Sequence, residues 1–376
     1  MKDCLTEQLP YYPSVFAVEN EYQIYLLFSC EAMVKLIVGD QVICDDMCGL
    51  MRSSSRVHRI CVPMALLDEA KAYTVVYETV IERKAYFPSF EAPVRLHFEF
   101  RPISADGELK VYHIADAHSM VDEPVAAAQY FGTTPDLLVL NGDIPNHAGA
   151  REHLDAVLKV ASGAGRGECP IICTRGNHDT RGCFAEEFLN YIPHDAGRTY
   201  YTVRLGSVWA LVLDCGEDKD DDCAEYGGTA CFHPFRLAQS QFIRSVIANA
   251  EKEYAAPEVK HRLIISHVPF TYRAQGEFAI EEEIYRDWSR LIRDNVKPEL
   301  MLCGHVLATE VWEKGCDRDN YGQACPVVIG SDPLIDPGKE EKTFVGCAIT
   351  IAGNSATVVF NDSDGVIRQK LQVKLN

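Results

Sequence analysis

Thr174-Arg175-Gly176-Asn177-His178-Asp179-Thr180 is the stretch around which the rest of the chain is read. It follows a short β-type run, Pro170 to Cys173, and sets an amide, an imidazole and a carboxylate in succession beside a glycine, where the backbone can turn sharply. Taken alone, Gly-Asn-His-Asp is also ordinary turn chemistry, because Asn and Asp bond their own backbone and tolerate unusual dihedrals. The balance shifts because other strand ends in the same half of the chain carry similar residues.

Those strands alternate with helices. Leu109 to Ala115 and Leu137 to Leu140 read as buried strands, and a helix from about Ala148 to Ala161 leads to Pro170–Cys173. Cys183 to Tyr191 reads as a further helix, and Tyr200 to Leu205 with Val208 to Asp214 as a hairpin turning at Gly206-Ser207. An acidic insertion, Gly216 to Gly228, precedes a helix over about Phe235 to Tyr254. The strand His261 to Ser266, a helix over Ile284 to Asp294, the strand Glu299 to Cys303 and a β-rich stretch from Val327 to Val373 complete the pattern.

The residues that end these strands are Asp116-Ala117-His118, Gly142-Asp143, Gly176-Asn177-His178-Asp179, His267 and Gly304-His305. In an open α/β sheet the carboxyl ends of the strands converge on one crevice, so donors distant in sequence meet there. A single histidine ending a buried strand is usually just a satisfied polar group. Five such strand ends are hard to assign to chance. Carboxylate, imidazole and amide donors without thiolate suit Mn, Fe or Zn rather than a sulfur-rich structural zinc. Two cations about 4 Å apart, bridged by a carboxylate, form a clamp for in-line attack on phosphorus.

Upstream, Ser14 to Arg101 is β throughout: Tyr22 to Ser29, Ala32 to Val38, Val57 to Val62, Tyr73 to Ile81 and Val94 to Phe100. Val94, Leu96, Phe98 and Phe100 alternate with polar neighbours, as a strand with one wet face should. This spacing predicts an all-β sandwich of immunoglobulin or fibronectin type III kind over residues 1–103, with the chemistry confined to 108–376. His58 and His97 are expected on solvated faces, and Pro102 to Glu108 is the join.

The formal charge is −19 across 376 residues, with no basic run, which argues against a nucleic-acid partner. Residues 1–16 lack the cationic and apolar regions of a secretory signal, and no apolar run is long enough to span a membrane. Fifteen scattered cysteines without a Cys-x-x-Cys pair suit reduced, packed thiols, so a cytoplasmic location is expected.

With these residues in view, the sequence resembles the calcineurin-like metallophosphoesterase superfamily, whose pattern is D-x-H, G-D-x-x-D/N, G-N-H-D/E, a lone H, then G-H-x-H. The match runs from Leu109 to Val359 in order and spacing. With a β-sandwich ahead of it, the chain is similar to the purple acid phosphatases, although Asp143 is followed three residues later by Asn146 where those enzymes carry a tyrosine. The resemblance implies a four-layer α/β/β/α sandwich and hydrolysis of a phosphomonoester or phosphodiester by a metal-bound hydroxide. It implies Asp116 and His118 on one metal, Asp143 bridging, and Asn177, His267 and His305 on the other. His178 would be the catalytic imidazole that is not a ligand. Small phosphorylated substrates are the implied partners, and Arg181 is a candidate for the substrate phosphate.

This chain departs from the pattern at Leu307, where the last motif has its second histidine. Leucine cannot ligate, so the Asp116/His118 metal is expected to bind weakly or to borrow a donor. The same substitution motivates the alternative of a non-enzymatic binding or scaffold protein on a degenerate site.

Overall fold

The computed structural model describes residues 5–104, 107–334 and 343–375. Residues 105 and 106 of the join, and 335–342 of the C-terminal β-rich stretch, lie outside the described residues. The chain is an α/β protein with two large mixed sheets.

The first sheet carries Leu109–Ile114, Leu137–Asn141 and Ile171–Thr174 side by side and parallel, flanked on one edge by the antiparallel Thr343–Ala352, Ser355–Asp362 and Ile367–Lys374. The second holds Val208–Leu213, His261–Ser266, Leu300–Cys303 and Val327–Ile329 in parallel, edged by the antiparallel Tyr201–Leu205 and Glu310–Trp312. Leu137–Asn141 and Val208–Leu213 are buried at every position, as strands covered on both faces must be. One apolar cluster joins Val111, Val139 and Ile172 of the first sheet to Val212, Ile265 and Leu302 of the second. A second cluster packs the Arg151–Gly165 helix on the first sheet, and a third packs Phe232–Ala248 and Glu282–Leu291 on the second. All three parallel strands of the first sheet, and those of the second, end on the side where the expected donors follow them.

The N-terminal strands continue the first sheet. Ser14–Val18 pairs in parallel with Ile171–Thr174, with Phe16 opposite Ile171, and passes the sheet on to Glu21–Val38, Ser55–Pro63 and Ala72–Glu82. Tyr22–Ser29 and Ala32–Val38 form one strand, Glu21–Val38, with its register shifted between Leu27 and Ala32. His58 is buried, not solvated. It falls in register with the inward Ile60 and Val62, and its Nδ1 meets Asp45 Oδ2 at 2.6 Å. His97 does lie on an exposed face.

Helix ends moved by a few residues, and Cys183–Tyr191 contains only a 3-10 stretch, Ala185–Asn190. The short helix Asp122–Ala127 was not expected, and neither was Met64–Ala70, which interrupts the stretch read as β throughout. No helix among the described residues is long and apolar enough to cross a membrane.

Candidate metal centre

The loops after Leu109–Ile114, Leu137–Asn141, Ile171–Thr174 and Leu300–Cys303 bring Asp116, His118, Asp143, Asn177, His178 and His305 onto one cavity of about 390 Å³, with Met120, Asn146, Asp218 and Leu307 completing its wall. His267 lies just beneath, buried against Asp143 and Asp116. All six expected ligands and the expected catalytic imidazole therefore gather in one place. Arg181 does not line the cavity.

The backbone explains the convergence. Asp116, His118, Asp143, His305 and Leu307 all have left-handed dihedrals, with φ from 44° to 69°. Non-glycine residues hold such conformations only where surrounding structure over-determines them, and here five cluster at one site. Tight loop contact accounts for two glycines. A Cβ on Gly142 would sit 2.6 Å from the Gly176 nitrogen, and one on Gly176 would sit 2.2 Å from Asp143 Oδ1. Asp179 staples these two loops, its Oδ2 accepting from the Gly176 N–H at 2.7 Å and the Asp143 N–H at 3.0 Å. Sequence reading saw Asp179 only as part of the motif, and its buried structural role was not visible there.

Each imidazole is oriented by one of its nitrogens. His267 Nδ1 donates to the Asn141 carbonyl at 2.6 Å, so Nε2 is the atom aimed at Asp143 Oδ2 (3.2 Å) and Asp116 Oδ1 (3.8 Å). That Nε2 is buried without a hydrogen-bond partner. His178 Nδ1 donates to the Asn146 carbonyl at 2.8 Å, while its backbone N–H donates to Asp143 Oδ1 at 2.8 Å. The backbone of Asn146, not its amide, thus orients His178, and the amide oxygen faces His118 Nδ1 at 3.2 Å. Asn177 Oδ1 and His305 Nδ1 lie 3.0 Å apart. That is close to the separation of two ligands each about 2.1 Å from one shared ion. Asp218 Oδ2 accepts from Asn177 Nδ2 at 3.4 Å, which turns the amide oxygen toward His305.

The charges of the site are tightly coupled. Burial would lower the His267 pKa, but the carboxylates of Asp143 and Asp116 outweigh it and raise it to about 10. Burial, and then the Asp143 charge, raise Asp116 to about 7, against the opposing pull of His267. Burial also acts to raise Asp143, yet His267, His178 and His118 hold its carboxyl well below the usual range. Two buried carboxylates facing one imidazole draw positive charge to this spot, supplied by the proton on His267 or by a bound cation. Geometry gives two overlapping donor groups, Asp143/His267/His305 and His118/Asp143/His178, sharing Asp143. The donor set fits a hard or borderline divalent ion.

The sequence favours a solvated loop for the acidic run Asp218 to Asp222 over one that caps the crevice or binds a cation, yet Asp218 lines the cavity. Arg181 explains why. Its guanidinium donates from Nε and Nη2 to Glu217, with Nη2 to Glu217 Oε2 at 2.8 Å, and reaches Asp218 at 3.1 Å and Glu225 at 3.3 Å. Arg175 likewise pairs with Asp214, at 2.9 Å, as a structural ion pair.

Residues 109–308 match the family model described as Calcineurin-like phosphoesterase. Among solved structures, the chain is similar to a purple acid phosphatase isolated from yellow lupin (Lupinus luteus) seeds. The identity is 14% and the TM-score 0.64, covering 97% of this chain and 75% of that one. It is also similar to PhoD, at 11% identity and a TM-score of 0.55, covering 100% of this chain and 90% of that one. At these identities the likeness is one of fold. No curated protein matches the sequence.

Proposed function

The chain belongs to the calcineurin-like phosphoesterase family and is a metal-dependent phosphoesterase, and from that premise we propose that it hydrolyses a phosphomonoester or phosphodiester at a site for two cations. Asp116 and His118 would hold one and Asn177, His267 and His305 the other, with Asp143 between them. The observation that supports this reading is the convergence of Asp116, His118, Asp143, Asn177 and His305 on one cavity, with His267 Nε2 buried beneath it against Asp143 and Asp116. Divalent cations bound there would neutralise phosphoryl oxygens and lower the pKa of a water.

The protein's own residues then supply orientation and proton transfer. Because Nδ1 of His178 is committed to the Asn146 carbonyl, Nε2 is the atom that holds the proton given to the departing alkoxide. Asp218 fixes the Asn177 amide. We read the two sheets with their outer helices as a four-layer sandwich, and the N-terminal strands as immunoglobulin-like. The described cysteines are all free, which supports a reducing, cytoplasmic setting.

The test is a metal count by elemental analysis of Mn²⁺-supplied protein, with an aryl phosphate assay of wild type and His178→Ala. We expect metal retained in the variant and kcat lowered by roughly 10²- to 10⁴-fold. No metal and no turnover with any divalent ion would leave only a scaffold on a degenerate site.

A further inference from the structure

A second hollow, of about 550 Å³, opens beside the metal cavity and shares Asp218 and His305 with it as wall. It begins at Val268 and Pro269, directly after His267, and is closed by the 272–280 loop, by Tyr285 and by Tyr321. Its surface is mostly aliphatic and aromatic, and Phe278 stands 40% exposed at its edge. Hollows of this volume with such walls suit the body of a small organic molecule rather than a bare inorganic anion.

Charge narrows the choice. Among the described residues, no Lys or Arg lines either cavity, and Asp218 is the one carboxylate in the second. The cations nearest to it already have carboxylate partners, Arg181 with Asp218 at 3.1 Å, Lys219 with Glu225 and Arg286 with Glu282 at 2.7 Å, so a further phosphate or carboxylate on the ligand would meet Asp218 in the wall and no cation lining the hollow. A large neutral group meets no such penalty.

We infer that this hollow is the leaving-group subsite, selecting phosphoesters of a bulky, uncharged aromatic or apolar alcohol over sugar phosphates and nucleoside polyphosphates. The inference rests on the phosphoesterase reading for the identity of the ligand's head group, but its test does not require turnover.

The experiment compares binding of naphthylmethylphosphonate and methylphosphonate to the Mn²⁺-supplied full chain by calorimetry. The naphthyl compound should bind roughly 30-fold more tightly, as expected for burying one fused ring system. Ala274→Trp and Ala279→Trp, each filling the hollow from the 272–280 loop, should erase that preference and leave methylphosphonate affinity within threefold of wild type. Melting curves verify that each variant is folded, and Phe278→Ala, which trims the rim, should weaken the preference in a third, less intrusive way. Equal affinities in wild type, no binding of either compound, or a preference unchanged in all three variants would overturn the subsite. Selective binding without hydrolysis of naphthyl phosphate would instead remove the hydrolase reading and keep the subsite. Hydrolysis of naphthyl and phenyl phosphate at equal kcat/KM, with equal phosphonate affinities, would do the reverse.

Discussion

Leu307 sits on the cavity wall, 49% exposed and with φ of 51°, where its branched side chain offers Asp116 and His118 nothing to share a cation with. Leu307→His should restore a donor. Titrated with Mn²⁺ after chelation, the variant is expected to bind the ion about tenfold more tightly than wild type, the low end of what the loss of a ligand's supporting partner costs; an unchanged isotherm would mean that another group already fills that place. His113 gives a different residue-scale prediction, one of stability. It is fully buried, accepts from Asn141 Nδ2 at 2.9 Å, and has its pKa lowered to about 3 by burial and by the charge on His267. Above pH 6.5 neither the folded nor the unfolded chain protonates it. Between 6.5 and about 3 only the unfolded chain does, so stability falls as pH falls across that window. At pH 5 the loss is about 2 kcal/mol. Urea melts at pH 7 and 5 should show that much more acid sensitivity in wild type than in His113→Gln; equal slopes would show that the imidazole is not held neutral.

The elements that carry the candidate donors were legible because those donors follow directly on covered strands. Val139 to Asp143 passes from apolar residues through Asn141 and Gly142 to Asp143, and Ile171 to His178 passes through Thr174, Arg175 and Gly176 to Asn177 and His178, as a covered strand giving way to a polar loop should. The acidic insertion had no such signature. Its role depends on Arg181, whose partners are 36 residues and more away, and charge runs look alike whether they face water or a half-buried guanidinium. Glu217 is nearly fully buried, so removing Arg181 leaves a carboxylate stranded out of water. Arg181→Gln is therefore expected to cost about 3 kcal/mol of stability, read as a lowered melting temperature. If the residue only clamps the insertion, KM for an aryl phosphate should stay within about threefold of wild type in whatever fraction remains folded, since uniform substrate binding has lost no contact. A tenfold rise in KM with an unchanged melting temperature would return Arg181 to the substrate phosphate.

Across the whole molecule, the turn from β-only to alternating pattern near residue 103 was plain in the sequence, but strand pairing between distant segments was not, because a parallel neighbour leaves no mark in either partner's composition. Ser14–Val18 is fully buried and runs alongside Ile171–Thr174, with Phe16 inside the cluster that packs the Arg151–Gly165 helix. Further bonds reinforce the junction: Tyr25 donates to the Ile192 carbonyl at 2.5 Å, Tyr73 to Gly167 at 3.0 Å, and the Arg101 N–H to Glu168 at 2.8 Å. A boundary crossed by a shared sheet and a shared core should not open by itself, since separating it exposes apolar surface on both sides. The full chain is expected to unfold in one calorimetric transition rather than two. Phe16→Ala, which costs about 3 to 5 kcal/mol of core packing, should lower that transition as a whole and carry the loss of metal-dependent activity down with it. Two resolved transitions, with Phe16→Ala moving only one while activity survives to the other, would establish that residues before 103 fold apart from the phosphoesterase.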